Sequence, residues 1–136
     1  MMVLLDTGPI VAVLNRRERH YAQCAELIVT TPGPLITCEA VIAEACHLVN
    51  HRPAAVADVL NEISDGEYHL FYSLEERAKH VAKLMRKYAD VSMDLADACL
   101  VDMATVFNTG QILTLDTDFR VYRWGRNRPF ELLIDF

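Results

Sequence analysis

Apolar and polar positions along the chain follow two periods in turn, short apolar runs of strand length and longer stripes spaced for helices. Met2 to Leu5 is a first strand, and it stops at Asp6-Thr7-Gly8-Pro9, where Thr7 or Gly8 suits a helix cap and Pro9 a first helical position. Residues 18 to 30 predict a second helix, with Tyr21, Cys24, Ala25 and Ile28 on one face and Thr31-Pro32-Gly33-Pro34 as its stop. Leu35 and Ile36 form a brief strand. Thr37 then caps a helix to about Asn50, in which Ile42, Ala45, Cys46 and Val49 keep the core period and Glu44 lies beside them.

Pro53 opens a further helix to about Ser64, and Glu67 to Tyr72 alternates as a strand with Tyr68, Leu70 and Tyr72 on one side. Ser73-Leu74-Glu75-Glu76 has the spacing of a capping box. The helix it starts runs through Tyr88, with Leu74, Ala78, Val81, Met85 and Tyr88 as the apolar stripe and Lys79, Lys83 and Lys87 as a wet face. The next helix spans about Met93 to Phe107, and Asp94 and Asp97 share one face of its first turns, where the helix dipole favours anions. After Gly110 come a buried strand, Gln111 to Leu115, and a last one within Glu131 to Asp135.

Strands alternating with helices from end to end predict a three-layer α/β/α fold with a mostly parallel central sheet. Ligands of such sheets bind beyond the carboxyl ends of the strands. Asp6 and Asp116 each follow a strand directly and therefore belong on one edge.

At 136 residues and 52% hydrophobic the chain fits a single domain, residues 1 to 136, with ample material for one core. Cys24, Cys38, Cys46 and Cys99 have no paired CxxC spacing and read as small buried hydrophobes of a reducing compartment. The opening apolar run is broken by Asp6 and lacks a basic flank. No stretch approaches the roughly 20 apolar residues that span a bilayer, so a cytoplasmic protein off the membrane is expected. A formal charge of −6 weighs against nucleic acid, but its distribution is uneven: residues 1 to 68 hold 4 Lys/Arg against 9 Asp/Glu, residues 69 to 136 hold 9 against 10. Arg120, Arg123, Arg126 and Arg128 follow closely on Asp116 and Asp118.

The candidate chemistry lies in acids set among apolar residues. Burying unpaired carboxylates is costly, and several that converge in one fold usually share a cation, which for oxygen ligands means Mg²⁺ or Mn²⁺. Each acid also has a plain structural alternative: Asp6 as a turn or cap, Glu44 as a helix-edge residue, Asp94 as a cap, Asp118 as part of an Asx turn. Asp97 is harder to explain that way, since Leu95, Ala96, Ala98, Cys99 and Leu100 surround it. Asp116 takes the ligating role and Asp118 a supporting one. The five histidines form no zinc pattern, and no glycine-rich phosphate loop is present.

Four motifs in order, Leu5-Asp6-Thr7, Val41-Ile42-Ala43-Glu44, Leu95-Ala96-Asp97-Ala98 and Leu115-Asp116-Thr117-Asp118-Phe119, resemble the PIN-domain ribonucleases, and among them the VapC-type toxins of toxin-antitoxin pairs. The resemblance implies a Mg²⁺- or Mn²⁺-dependent endoribonuclease, often a homodimer and commonly held inactive by a small antitoxin. In that reading Asp6, Glu44, Asp97 and Asp116 hold one or two hydrated cations that orient a water and stabilise charge on an RNA phosphate. Thr7, Asp94 and Asp118 orient ligands from behind. Arg120, Arg123 or Arg126 steer RNA phosphates. Two other readings compete: a Mg²⁺-dependent phosphatase or receiver domain, which needs a lysine near the phosphate, and a non-catalytic scaffold that binds RNA or protein. Apolar helices within residues 18 to 65 offer a surface for a second copy or an antitoxin.

Overall fold

The computed structural model describes all 136 residues. Its elements follow one another as β1 (Val3–Leu5), α1 (Thr7–Ala12), α2 (Tyr21–Thr30), β2 (Leu35–Ile36), α3 (Glu39–Leu48), α4 (Pro53–Ser64), β3 (Tyr68–His69), α5 (Leu74–Lys87), α6 (Leu95–Phe107), β4 (Gln111–Leu113), β5 (Arg123–Trp124), β6 (Arg128–Pro129) and β7 (Glu131–Leu132). Five of the strands form a parallel sheet in the order β3-β2-β1-β4-β7. Its central strand, Val3-Leu4-Leu5, is buried throughout, which is why it reads as a continuous apolar run without alternation.

Strand order steps outward from β1 to β3, then returns across the sheet to β4 on the other side of β1. With right-handed crossovers, helices that follow β1 and β2 lie on one face and those that follow β3 on the other. The packing agrees, because α1 rests on α2 and α3, α3 on α4, and α5 on α6. The expected three-layer α/β/α architecture is therefore present. Its order reverses between β1 and β4, and the crevice outside their carboxyl ends is where open sheets bind ligands.

Helix α6 carries the core between the sheet and α5. Every residue from Ala96 to Ala104 is buried, and a helix enclosed on all sides shows no wet face in its sequence. Two carboxylates are nonetheless inside it. Asp102 accepts two hydrogen bonds from the Arg77 guanidinium, at 2.8 and 2.9 Å, and a third from the Tyr72 hydroxyl at 2.7 Å. That arrangement pins α5 to α6 through a partnered buried charge. Asp97, one turn from the start of α6, belongs to the crevice described below.

Several local expectations are corrected. Asp6, not Thr7 or Gly8, caps α1, and Pro9 is the third helical residue. Thr37 does not cap α3: its hydroxyl donates to the Leu5 carbonyl and so ties the end of β2 to β1, while Cys38 stands at the cap. The strand expected over Glu67 to Tyr72 pairs only at Tyr68 and His69, although Tyr72 still points inward. Leu74 is 39% exposed and Ala78 is exposed too, so α5 buries Val81 and, at its C-cap, Tyr88. The antiparallel pair β5–β6 was not expected. It folds Trp124 down over Gly110, where a Cβ would lie 2.3 Å from the indole Nε1, so only glycine fits under that hairpin. No helix is long and apolar enough to cross a membrane.

Candidate metal centre

Asp6 leaves β1 directly and is 6% exposed. One carboxylate oxygen accepts the Thr7 amide at 2.7 Å, the other the Thr114 hydroxyl at 2.7 Å. Thr114 follows β4, and its oxygen in turn accepts the Asp116 amide at 2.9 Å. The two central strands thus present Asp6 and Asp116 side by side through one shared threonine. Asp116 Oδ1 accepts the Asp118 amide at 2.9 Å in an Asx turn that opens the 3-10 turn Thr117–Arg120.

Asp94 and Asp97 form a reciprocal capping box at the start of α6: the Asp97 amide donates to Asp94 Oδ1 at 2.8 Å and the Asp94 amide to Asp97 Oδ2 at 3.3 Å. Tyr122 reaches the same Asp97 oxygen with its hydroxyl, at 3.3 Å. Its ring is held edge-on between Tyr88 and Phe119, with centroids 5.1 Å away on either side. From the facing helix α3, half-buried Glu44 completes the lining, since α3 packs across α6.

These side chains converge. Asp6, Glu44, Asp94, Asp97 and Asp116 line one cleft of about 440 Å³ together with Thr7, Gly8, Leu48 and Leu115, and no cationic side chain lines it. The electrostatic consequence is visible in the acids themselves. Burial, with the charges of Asp116 and Glu44, raises the Asp6 carboxyl to about 6 against the pull of its two hydrogen bonds. Burial raises Asp97 to about 7, helped by the charges of Asp94, Asp6 and Asp116. Asp116 is also raised, by burial first and then by Asp118 and Asp94.

As the side chains stand, no three of them close on one point at ligand distance. Asp6 is held by Thr7 and Thr114, and Asp94 and Asp97 hold each other's backbone; Glu44 alone makes no hydrogen bond and is free to swing in. The donor set nevertheless suits a hard divalent cation: five carboxylates, no soft ligand and no internal countercharge. At the same edge the Thr7 hydroxyl is buried without a partner. An orphaned oxygen beside crowded carboxylates is what an ion with its water shell would satisfy.

Of the residues expected in support, Thr7 and Asp94 line the cleft, whereas Asp118 meets it only through its amide bond to Asp116. The arginines diverge. Arg120 lies over the Phe136 ring, Arg126 is exposed in the β5–β6 loop, and Arg123 uses Nη1 on the carbonyls of Arg120, Val121 and Tyr122. None of the three lines the acidic cleft. Thr114 and Tyr122 were not foreseen; the only sequence signal for Thr114 is a polar residue interrupting Leu113 and Leu115 at a strand end.

The fold is that of one class of protein. The PIN domain family model matches residues 3–125, and the chain belongs to that family. Among proteins it is similar to, Ribonuclease VapC26 of Mycobacterium tuberculosis (strain ATCC 25618 / H37Rv) is 30% identical over 116 residues, covering 84% of this chain and 86% of that protein. The crystal structure of Mycobacterium tuberculosis VapC20, described as a Sarcin-Ricin loop cleaving toxin, superposes with a TM-score of 0.81 over 93% of this chain and 99% of that one. At 16% identity the likeness speaks for the fold.

Proposed function

We propose that this chain, acting as one domain over residues 1 to 136, is a cytoplasmic endoribonuclease that depends on Mg²⁺ or Mn²⁺ and serves as the toxin of a toxin-antitoxin pair. One observation carries the reading: five carboxylates line a single cleft that no cationic side chain enters. A ribonuclease 30% identical over most of the chain gives the direction of the chemistry. Asp6, Glu44, Asp97 and Asp116 are the proposed ligands. A divalent ion bound by such a set supplies positive charge for a phosphate and makes a water more acidic.

The protein's own groups have separable tasks. Thr114 orients Asp6 and spaces it from Asp116, and the Asp94 capping box fixes where Asp97 stands. Tyr122 donates to Asp97 and so favours its ionised form in a dry surrounding. Thr7 offers a hydroxyl to a bound water, and Asp118 holds Asp116 through the Asx turn. A phosphatase or receiver reading would want a lysine at the phosphate, and the cleft contains none.

For partners we propose RNA, a small antitoxin and a second copy of the chain. The antitoxin fits the apolar groove of about 350 Å³ between α1, α2 and α4, lined by Ile10, Leu14, Ile28, Val29 and Val59. Val29, 83% exposed, carries the apolar lining of that groove out to the surface. The homodimer rests on the family resemblance.

The chemistry is tested by incubating the purified chain with mixed-sequence RNA and Mn²⁺. Internal cleavage is expected, stopped by EDTA and restored by excess Mn²⁺; cleavage that survives EDTA contradicts the proposal.

A further inference from the structure

A second cleft lies apart from the acidic one and has the opposite charge. It occupies about 430 Å³ between α5, α6 and the β5–β6 hairpin, and its walls carry Arg77, His80, Lys83, Lys87 and Arg123. Asp102 is the one acid there, and the Arg77 guanidinium holds it. Lys83, Lys87 and Arg123 therefore have no acid partner in a protein whose total is −6, although Arg123 Nη1 is held by three backbone carbonyls and Lys87 lies over the Tyr88 ring. Lysines that read as the wet face of an isolated helix face a wall once the hairpin is folded against α6.

The chemistry of the walls says what part of a ligand they recognise. Trp124 is only 9% exposed, its indole N–H is used on the Pro129 carbonyl, and Arg128 covers its ring at 5.2 Å. It is a wall and offers no platform for a base. The Thr105 hydroxyl accepts the Gly125 amide. What remains for a ligand is positive charge without base-reading groups, which suits a phosphate backbone of any sequence.

Position selects the polyanion. Val101 and Thr105, on the floor of this cleft, follow Asp97 by one and two turns of α6, about 6 and 12 Å along its axis. Arg123 directly follows Tyr122, whose hydroxyl touches Asp97. A strand that places one phosphate at the acidic cleft has neighbouring phosphates within this reach, and the acids repel them. We infer that the cleft formed by His80, Lys83, Lys87 and Arg123 is a docking groove for the sugar-phosphate backbone of the RNA substrate, beside the scissile position. The inference rests on the ribonuclease reading for the identity of the strand. Its test does not need cleavage.

Binding of a fluorescein-labelled single-stranded RNA of about 16 nucleotides is followed by anisotropy in EDTA across a salt series. The double variant Lys83→Glu/Lys87→Glu is compared with Lys79→Glu/Arg86→Glu, an equal change of charge on exposed α5 positions outside the cleft. The cleft variant is expected to lose affinity about tenfold or more and to flatten the slope of log K against log salt by about 1.4, while the control binds as the parent does. Circular dichroism and melting confirm that both variants fold. Equal loss in both variants, or none in the cleft variant, overturns the groove whatever the nuclease assay shows. Groove-dependent binding by a protein that never cleaves upholds the groove and overturns the nuclease reading. If instead an acidic protein segment binds through Lys83 and Lys87 while RNA does not, the groove is a protein-docking site and the inference fails.

Discussion

Replacing Asp97 by asparagine is expected to reduce RNA cleavage about a thousandfold or more, equivalent to about 4 kcal/mol of lost transition-state stabilisation, with no loss of fold. Asparagine keeps the shape of the side chain, its oxygen can still accept the Asp94 amide, and its own amide still donates to Asp94. What disappears is a charge that burial and three neighbouring acids make unfavourable. In the absence of metal at pH 8, Asp97→Asn is therefore expected to melt no lower than the parent, and higher by several degrees if repulsion dominates there. Asparagine at a purely structural cap would leave cleavage near the parental rate. Gel-resolved cleavage rates and a melting curve on the same preparation check both halves.

The second large effect is in pH. Asp6 and Asp97 have folded-state values raised from 3.8 to about 6 and about 7, so the folded protein binds more protons than the unfolded chain between those limits. Their contribution to stability is complete below about 4 and is lost as pH rises through 6 and 7. Metal-free protein should thus become less stable from pH 5 to pH 8, by an amount on the order of 2–4 kcal/mol from these two groups. A divalent ion competes with the same protons. Mn²⁺ at a hundred times its dissociation constant adds about 2.7 kcal/mol at pH 8, and much less at pH 5, where the carboxyls are protonated. Melting curves at the two pH values, with and without Mn²⁺, measure all four corners. A metal-free protein equally stable at both values contradicts the crowding of charge described here.

Much of this was legible in the chain because it is local. Asp6 ends an apolar run, Asp97 sits inside one, and the alternation of strand and helix by itself puts Asp6 and Asp116 on one edge. The residues that join these acids were not legible. Thr114 reaches Asp6 across 108 positions and Tyr122 reaches Asp97 across 25, and no local period encodes such a bond. Asp102 was overlooked for a related reason: in a helix buried all round, the partner that makes a charge tolerable lies on another element, here Arg77 and Tyr72.

The lysine face is exposed as expected, but the basic cleft it lines was not legible for want of its second wall. Lys83 and Lys87 follow the spacing of a solvated helix face, and the hairpin opposite them has only two paired residues on each strand. Its turn uses left-handed backbone at Gly125 and Asn127, with φ of 56° and 61°, residues that tolerate it and mark a turn without marking the strands. In the same way, Leu74 and Ala78 lie on the period of α5 but stay exposed, while Arg77 between them makes the contact with α6.

Anomalous diffraction at the manganese edge, from crystals of the protein grown with Mn²⁺, puts the central claim to the most direct trial. An anomalous peak is expected inside the crevice outside β1 and β4, with carboxylate oxygens of Asp6, Glu44, Asp97 and Asp116 about 2.0–2.3 Å from it and the Thr7 hydroxyl facing its water shell. A fully occupied ion bound elsewhere, with this crevice closed by hydrogen bonds among its own acids, would contradict the account.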